Sequence, residues 1–381
     1  MPDSIPPRIV IAPDSLKESC SAHDAAQAIA AGIRLARPDA VYTCIPIADG
    51  GEGTIDAILQ ATPGRRHRAR VRRADGVPTE AEWAILDDGT AIIELASAAG
   101  LEQLPAACRN PLQTTTYGVG ELMVHALDAG ARRIVLALGG SATNDGGAGM
   151  LQALGVRLLD AGGTDLDPGG AALARLARID TSGLHPRARE VNIEVAADVN
   201  NPLCGPNGAS AIFGPQKGAS TADVRQLDAA LAHFADVARD TLKHDLRDQP
   251  GVGAAGGTGF AAVTFLGGRL RRGFDLIADL TRLEQHIRQA SLVFTAEGRF
   301  DAQTSSGKAP AGVIRLARAA GVPAVVLCGA LGEGYEALYD EGLTAAFSLA
   351  PGPIALEAAY ARAPERLTAL ARDIARLYFA H

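Results

Sequence analysis

RIVIAPDSLKESCSAHDAAQAIAAGIRLARPDAVYTCIPI, residues 8–47, is the stretch whose reading decides the fold. Arg8–Ala12 (RIVIA) is a short apolar run rich in β-branched residues, and Pro13 ends it. Ser21 then precedes an alanine-rich segment whose apolar residues recur at helical spacing, so Ser21 is the expected N-cap. Val41–Ile47 (VYTCIPI) is the second strand. A connection this long between two strands predicts a crossover helix and parallel pairing.

The far end of the chain repeats the pattern. Leu292–Ala296 and Ala324–Cys328 are expected strands with a helix at Pro310–Ala319 between them. Thr344–Leu349 follows, then a helical stretch Ala355–Phe379 interrupted at Pro364. The middle has another texture: short strands alternate with turns from about 66 to 130, and a long amphipathic helix is expected at 222–245. The economical architecture is α/β, with a doubly wound parallel sheet built from both chain ends (residues 1–65 plus 280–381) and a second α/β domain (66–279) inserted between them.

Composition agrees with that size and class. A chain of 381 residues fits two or three domains, and 47% hydrophobic with 21% charged residues is a globular mixture. The net charge of −7 argues against a dedicated nucleic-acid binder, and aromatics at 4% supply little for stacking on bases. Five scattered cysteines with no C-x-x-C read as reduced thiols, not as a disulfide framework or a zinc site. The opening MPDSIPPRIV lacks the pattern of a signal peptide, and no run of 18 apolar residues occurs, so the expectation is a cytoplasmic protein without a membrane span.

The 43 glycines gather in short clusters, several directly after expected strands, where open α/β sheets bind their ligands. Five segments carry chemistry. Asp14, Ser15 and Lys17 follow the first strand and offer a carboxylate, a hydroxyl and an ammonium, or else form an Asx-type turn into the helix. Asp49-Gly50-Gly51-Glu52-Gly53-Thr54 follows the second and suits a metal carboxylate beside a phosphate, or a turn with Thr54 capping the next helix. Gly139, Gly140, Ser141, Thr143 and Asn144, with Gly146 and Gly147 beyond, follow the strand Arg133–Leu138; successive backbone N–H groups there can form an anion nest before a helix N-terminus. Asp198 follows Val191–Ala197 as a metal carboxylate or part of a hinge turn. Finally Glu297, Arg299, Asp301, Gln303, Thr304 and Lys308 crowd one strand end too densely for a solvated surface loop.

Other templates fail. Gly307-Lys308 is followed by Ala309 and lacks the upstream glycine of a Walker A loop. No G-x-S-x-G elbow and no H-E-x-x-H occurs. Gly251-Val252-Gly253-Ala254-Ala255-Gly256 matches G-x-G-x-x-G but opens no βαβ unit, so a dinucleotide-binding dehydrogenase is not supported. The arginine-rich run Arg65–Arg73 reads as an edge strand with arginines on its solvent face, where like charges discourage edge pairing.

Taken together and in order, APDSLKESCSA, PIADGGEGT, GGSATNDGGAGM, DVNNPL, GPQKGA, GAAGGTGF and EGRFDAQTSSGKAP resemble the bacterial type I glycerate kinase family. The resemblance runs from about residue 8 to the C-terminal helix, with further matches in IIELASAAGL (92–101) and TTTYGVGEL (114–122). Leu16 and Ala296 stand where that family usually has phenylalanine and glycine. The resemblance implies a Rossmann-like domain from both chain ends, an inserted α/β domain and a site in the cleft. It implies transfer of the γ-phosphoryl group of ATP to D-glycerate, typically at the 2-hydroxyl, with Mg²⁺, and is compatible with a homo-oligomer. On it, Asp198 is the expected general base, and Lys17 and Arg299 meet the glycerate carboxylate or the transferred phosphoryl group. Lys308 meets a phosphate, and Asp49 and Asp301 stand nearer the metal or substrate, Asp301 also among the catalytic groups. Asp14, Ser15, Asp49, Glu297, Gln303 and Thr304 are expected around the acceptor, and Gly139, Gly140, Ser141, Thr143 and Asn144 around the nucleotide phosphates. Two other readings stay open: another small hydroxy acid or the 3-hydroxyl as acceptor, and a non-enzymatic anion- or nucleic-acid-binding module led by Arg65–Arg73, whose binding would depend strongly on salt.

Overall fold

Alternation within the four residues Arg8–Ile11 sends Ile9 and Ile11 to one face of a sheet and Val10 to the other. Leu292 and Phe294 join the first face and Val293 the second. A strand buried on both faces belongs inside a parallel sheet covered by helices. In the computed structural model, which describes residues 6–16, 19–48, 50–305 and 309–380, Arg8–Ile11 lies between Leu292–Phe300 and Val41–Cys44, parallel to both. The five-stranded sheet runs Leu343–Ser348, Ala324–Leu331, Leu292–Phe300, Arg8–Ile11, Val41–Cys44, all parallel.

Helices Ala22–Ala36 and Ala363–Tyr378 cover one face. Ser21 caps the first of them, its side chain accepting from the Asp24 N–H at 3.1 Å. The two helices approach so closely that a Cβ on Gly32 would run into the Thr368 carbonyl oxygen. Helices Ala309–Ala320 and Gly273–Leu280 contribute Ile314, Phe274 and Ala278 to the core on the other face.

Two boundaries differ from the sequence reading. The second strand ends at Cys44, not Ile47: Ile45 and Ile47 still donate to Ile11 and Pro13, but Pro13 has no N–H to give back to this strand. The strand expected to stop at Ala296 continues to Phe300, paired with its neighbour as far as Phe300 opposite Leu331. Glu297, Gly298 and Arg299 are therefore strand residues, not loop residues. Asp301 lies just past the strand's end.

The chain divides into two compact units: Met1–Asp49, Asp56–Thr62 and Phe274–His381 form one, and Gly50–Ile55 with Pro63–Gly273 the other. The division at 273 lies upstream of the expected 280, because Phe274 and Ala278 pack into the core of the first unit. The second unit holds a six-stranded mixed sheet in the order Arg269–Arg271, Asn192–Ala196, Arg133–Ala137, Thr90–Glu94, Pro78–Leu86, Gly64–Arg72. The first four strands are mutually parallel, and the last two pairings, Thr90–Glu94 with Pro78–Leu86 and Pro78–Leu86 with Gly64–Arg72, are antiparallel. Gly64–Arg72 is its edge, as the arginine run predicted. Arg66 and Arg68 pair with Glu82 across the strands at 2.6 and 2.9 Å, and Arg72 lies over the Tyr117 ring. The long helix spans Thr221–Leu242, with Ser220 and Asp223 forming a capping box, and ends where Lys243 turns left-handed. Among the described residues, no helix is long and apolar enough to cross a membrane.

Candidate active site

In the second unit the buried strand Arg133–Ala137 delivers the chain into the glycine-rich loop. The loop has two halves with opposite character. Its later half is closed on itself. Asp145 is fully buried, and its carboxylate accepts from the Thr116 N–H (2.8 Å), the Thr116 hydroxyl (2.9 Å), the Gly147 N–H (3.1 Å) and the Gly149 N–H (3.2 Å). Burial pushes this carboxyl up, but four donors and no acceptor hold it as the carboxylate. At the N-terminus of the helix Ala148–Ala153 the anion is Asp145 itself.

The earlier half keeps its donors unclaimed. Among the described residues no acceptor meets the N–H groups of Gly140, Ser141, Thr143 or Asn144. Among those residues Thr143 Oγ1 and Asn144 Oδ1 are buried without a partner, although Asn144 Nδ2 donates to Ser210 Oγ at 2.8 Å. Gly140 has φ +74°, a left-handed conformation that favours glycine. Leu101 N–H donates to the Gly140 carbonyl and Ala142 N–H to Ala99, so the 92–101 segment fixes the loop from one side. From another side, the Gly146 N–H donates to Gly256, within a left-handed run that includes Ala255 at φ +53°. A strained non-glycine residue of this kind persists only where its surroundings over-determine it.

Lys217 lies beneath the same half. It is 1% exposed, and its ammonium donates to Ser141 Oγ at 2.8 Å and to the Thr143 carbonyl at 2.7 Å. Burial pulls the lysine down to about 7, with Asp145 opposing.

Two further motifs converge on this loop. Gly139 donates its N–H to the Gly50 carbonyl at 3.2 Å, and a Cβ at Gly139 would fall on Gly51 Cα. A Cβ at Gly50 would in turn stand 2.9 Å from the Ala196 Cβ, at the end of the strand that leads to Asp198. The Asp198 carboxylate is oriented by the Gly273 N–H at 2.9 Å. Thr54 does act in its turn, its hydroxyl donating to the Gly51 carbonyl at 2.7 Å, while the buried Glu94 accepts from the Ile55 N–H.

In the first unit the remaining motifs gather at the carboxyl ends of the parallel strands. A cavity of about 510 Å³ is lined by the polar residues Asp14, Ser15, Glu297 and Arg299 and by Leu349, Pro351, Ile354 and Tyr360. Asp14 accepts from the N–H of Ser15 at 2.6 Å, one residue on and not the two of an Asx-type turn, while lining that cavity. Glu297 and Thr304 are buried and joined, the Thr304 hydroxyl donating to Glu297 Oε1 at 2.7 Å. Arg299 is exposed and donates to Asp301 at 2.8 Å. Asp301 faces a second, open cavity with Glu333 and Tyr335, and Arg299 lines both.

Lys17, Asp49, Lys308 and the side chain of Gln303 lie outside the described residues. Sequence reasoning gave no role to Lys217, Asp145, Thr116 or Glu94. GPQKGA and TTTYGVGEL were signals for two of them, but nothing in a sequence shows a lysine or a carboxylate to be buried.

A parallel sheet with polar groups at its carboxyl ends, and a glycine-rich loop over a buried lysine, fit an α/β enzyme of the class that binds its ligands at strand ends. The family model for the glycerate kinase family matches residues 9–379. The chain is 49% identical over 369 residues to a glycerate kinase of Bacillus subtilis (strain 168), covering 97% of each chain. It is 47% identical over 369 residues, again 97% of each, to the glycerate 2-kinase of Escherichia coli (strain K12). A crystal structure assigned as glycerate kinase 2 from Salmonella typhimurium LT2 superposes with a TM-score of 0.89 at 47% identity, covering 98% of this chain and 99% of that one. The chain belongs to the glycerate kinase family, and with it to the phosphotransferases.

Proposed function

We propose that the protein transfers the γ-phosphoryl group of ATP to the 2-hydroxyl of D-glycerate, giving 2-phospho-D-glycerate and ADP. The observation that carries this reading is the full-length relation to a glycerate 2-kinase at 47% identity. The geometry supports it: the 140–144 half of the loop offers unclaimed N–H groups and a buried hydroxyl without a partner, the donors that phosphate oxygens require.

Phosphoryl transfer asks a protein for positioning and charge neutralisation more than for covalent chemistry. Gly139, Gly140, Ser141, Thr143 and Asn144 take the nucleotide phosphates, with Lys308 on one of them. Asp14, Ser15, Asp49, Glu297, Gln303 and Thr304 shape the acceptor site. The buried Glu297, held by Thr304, accepts from a glycerate hydroxyl. Lys17 and Arg299 meet the glycerate carboxylate or the transferring group. Asp198, oriented by Gly273, takes the 2-hydroxyl proton as the new O–P bond forms and the bond to the β–γ bridging oxygen breaks. Mg²⁺ is ordinarily held by one or two carboxylates plus substrate phosphates; Asp49 and Asp301 would hold it here, Asp301 sharing its carboxylate with Arg299. When bound, the ion neutralises charge on the β- and γ-phosphates. Five free thiols agree with a cytoplasmic enzyme.

The test is ATP consumption with D-glycerate and Mg²⁺, followed by enolase. Signal through enolase alone is expected. Signal only after a phosphoglycerate mutase is added would make the 3-hydroxyl the acceptor. No ATP use with D-glycerate would move the reading to another hydroxy acid.

A further inference from the structure

We infer that Lys217 is a positioning residue for the nucleotide: it holds the 140–144 loop in its binding shape and sets a positive charge beneath the phosphate that the loop receives. The inference rests on the reading of this loop as the nucleotide's. The family resemblance quoted GPQKGA as a motif but attached no role to the lysine.

An ammonium taken out of water is costly unless a partner charge and hydrogen bonds repay it. Lys217 is buried, yet among the described residues no carboxylate oxygen comes within ion-pair distance of its nitrogen. The nearest opposing charge that acts on it, Asp145, is spent on four donors of its own. An ammonium carries three N–H groups. Two are placed, on Ser141 Oγ and the Thr143 carbonyl, and no acceptor among the described residues takes the third. Both acceptors belong to the half of the loop where, among the described residues, the N–H groups at 140, 141, 143 and 144 are unclaimed and the Thr143 hydroxyl has no partner. A purely structural core position of this volume would be served better by a methionine or leucine. The missing partner is an anion, and the loop above is shaped for one.

The local backbone is built to bring the lysine there. Pro215–Lys217 is a single tight turn, and Gly218 at φ +97° passes so near the Arg109 carbonyl oxygen that a Cβ would stand 2.6 Å from it. The turn aims the lysine inward at the cost of a glycine after it.

The experiment compares the full-length enzyme with K217M, which loses charge and donors, and K217Q, which keeps two donors and loses the charge. T143V serves as a probe of the loop itself. Thermal midpoints, ADP dissociation constants by calorimetry, and separate KM values for ATP and D-glycerate are measured. ADP affinity is expected to fall and the ATP KM to rise about 10- to 100-fold in K217M, the size of one charge-assisted hydrogen bond, with the D-glycerate KM within about twofold of wild type. K217Q is expected to recover part of the loss. Unchanged ADP affinity in K217M, with T143V weakened, would overturn the role of Lys217 and leave the loop's role standing. Unchanged affinity in both would overturn the phosphate reading of the loop. Equal shifts in both KM values, or failure of both Lys217 variants to fold, would make the lysine structural and also overturn the inference.

Discussion

Replacing Asp145 by asparagine keeps the shape of the side chain and removes one acceptor and one charge. Oδ2 receives three of the four donors, from the Thr116 N–H, the Thr116 hydroxyl and the Gly149 N–H, so the asparagine oxygen will settle there. Its amide then faces the Gly147 N–H, donor against donor at a separation near the present 3.1 Å. One orphaned buried donor costs about 1–3 kcal/mol. The three surviving bonds lose their charge assistance, about 1 kcal/mol each, while relief from burying a charge returns part of that. The net loss is on the order of 3 kcal/mol, or a thermal midpoint lower by about 6–12 °C for a unit of this size. Asp145→Ala orphans all four donors and is expected to lose more. Calorimetry of the full chain reads both, with the ATP KM as a second readout, because Asp145 closes the half of the loop next to residues 140–144. A midpoint for D145N within about 1 °C of wild type would refute the reasoning, and with it the view that the carboxylate is ionised and organises the turn.

Two glycines are expected to separate activity from stability. Gly139→Ala puts a methyl on Gly51 Cα and displaces one glycine loop against the other; kcat/KM should fall on the order of 100-fold, with the midpoint changed less than in Gly32→Ala. Gly32→Ala drives a methyl into the Thr368 carbonyl between two helices, and should cost about 1–3 kcal/mol of stability with kcat per folded molecule unchanged. A pH series tests Lys217. Its folded value, about 7, lies below the ordinary 10.5, so the unfolded chain binds the extra proton between those values. The cost of the buried lysine is therefore fully present below pH 7 and is relieved as pH rises, by up to about 1.4 kcal/mol per pH unit. The stability difference between wild type and K217M, measured by urea unfolding at pH 6 and pH 8.5, should shift in favour of wild type at the higher pH; a difference independent of pH would contradict the lowered value.

What the amino-acid sequence determined by itself is whatever local pattern dictates. Ile9, Val10 and Ile11 alternate between two buried faces, and the long crossover after them leaves only a parallel pairing, so the sheet of the first unit was legible. The arginines of 64–72 could be read as an edge strand because repeated like charge is tolerable only beside solvent. Asp14, Ser15, Glu297 and Arg299 line one cavity, and their place at strand ends could be read from the runs of apolar residues before them.

Tertiary structure decided what depends on neighbours distant in sequence. Whether the strand stopped at Ala296 or ran to Phe300 was settled by the partner strand ending at Leu331, and that changed Arg299 from a loop residue into a strand residue, bonded to Asp301 just past the strand's end. The glycine loop read as one uniform nest, but it is two halves, because Asp145 folds back on Thr116 from 29 residues away. Lys217 stands in a motif, GPQKGA, that shows nothing of its surroundings. Its burial beneath Ser141 and Thr143, some 75 residues earlier, comes from packing, and desolvation is a property of the surroundings that no spacing of residues along the chain records.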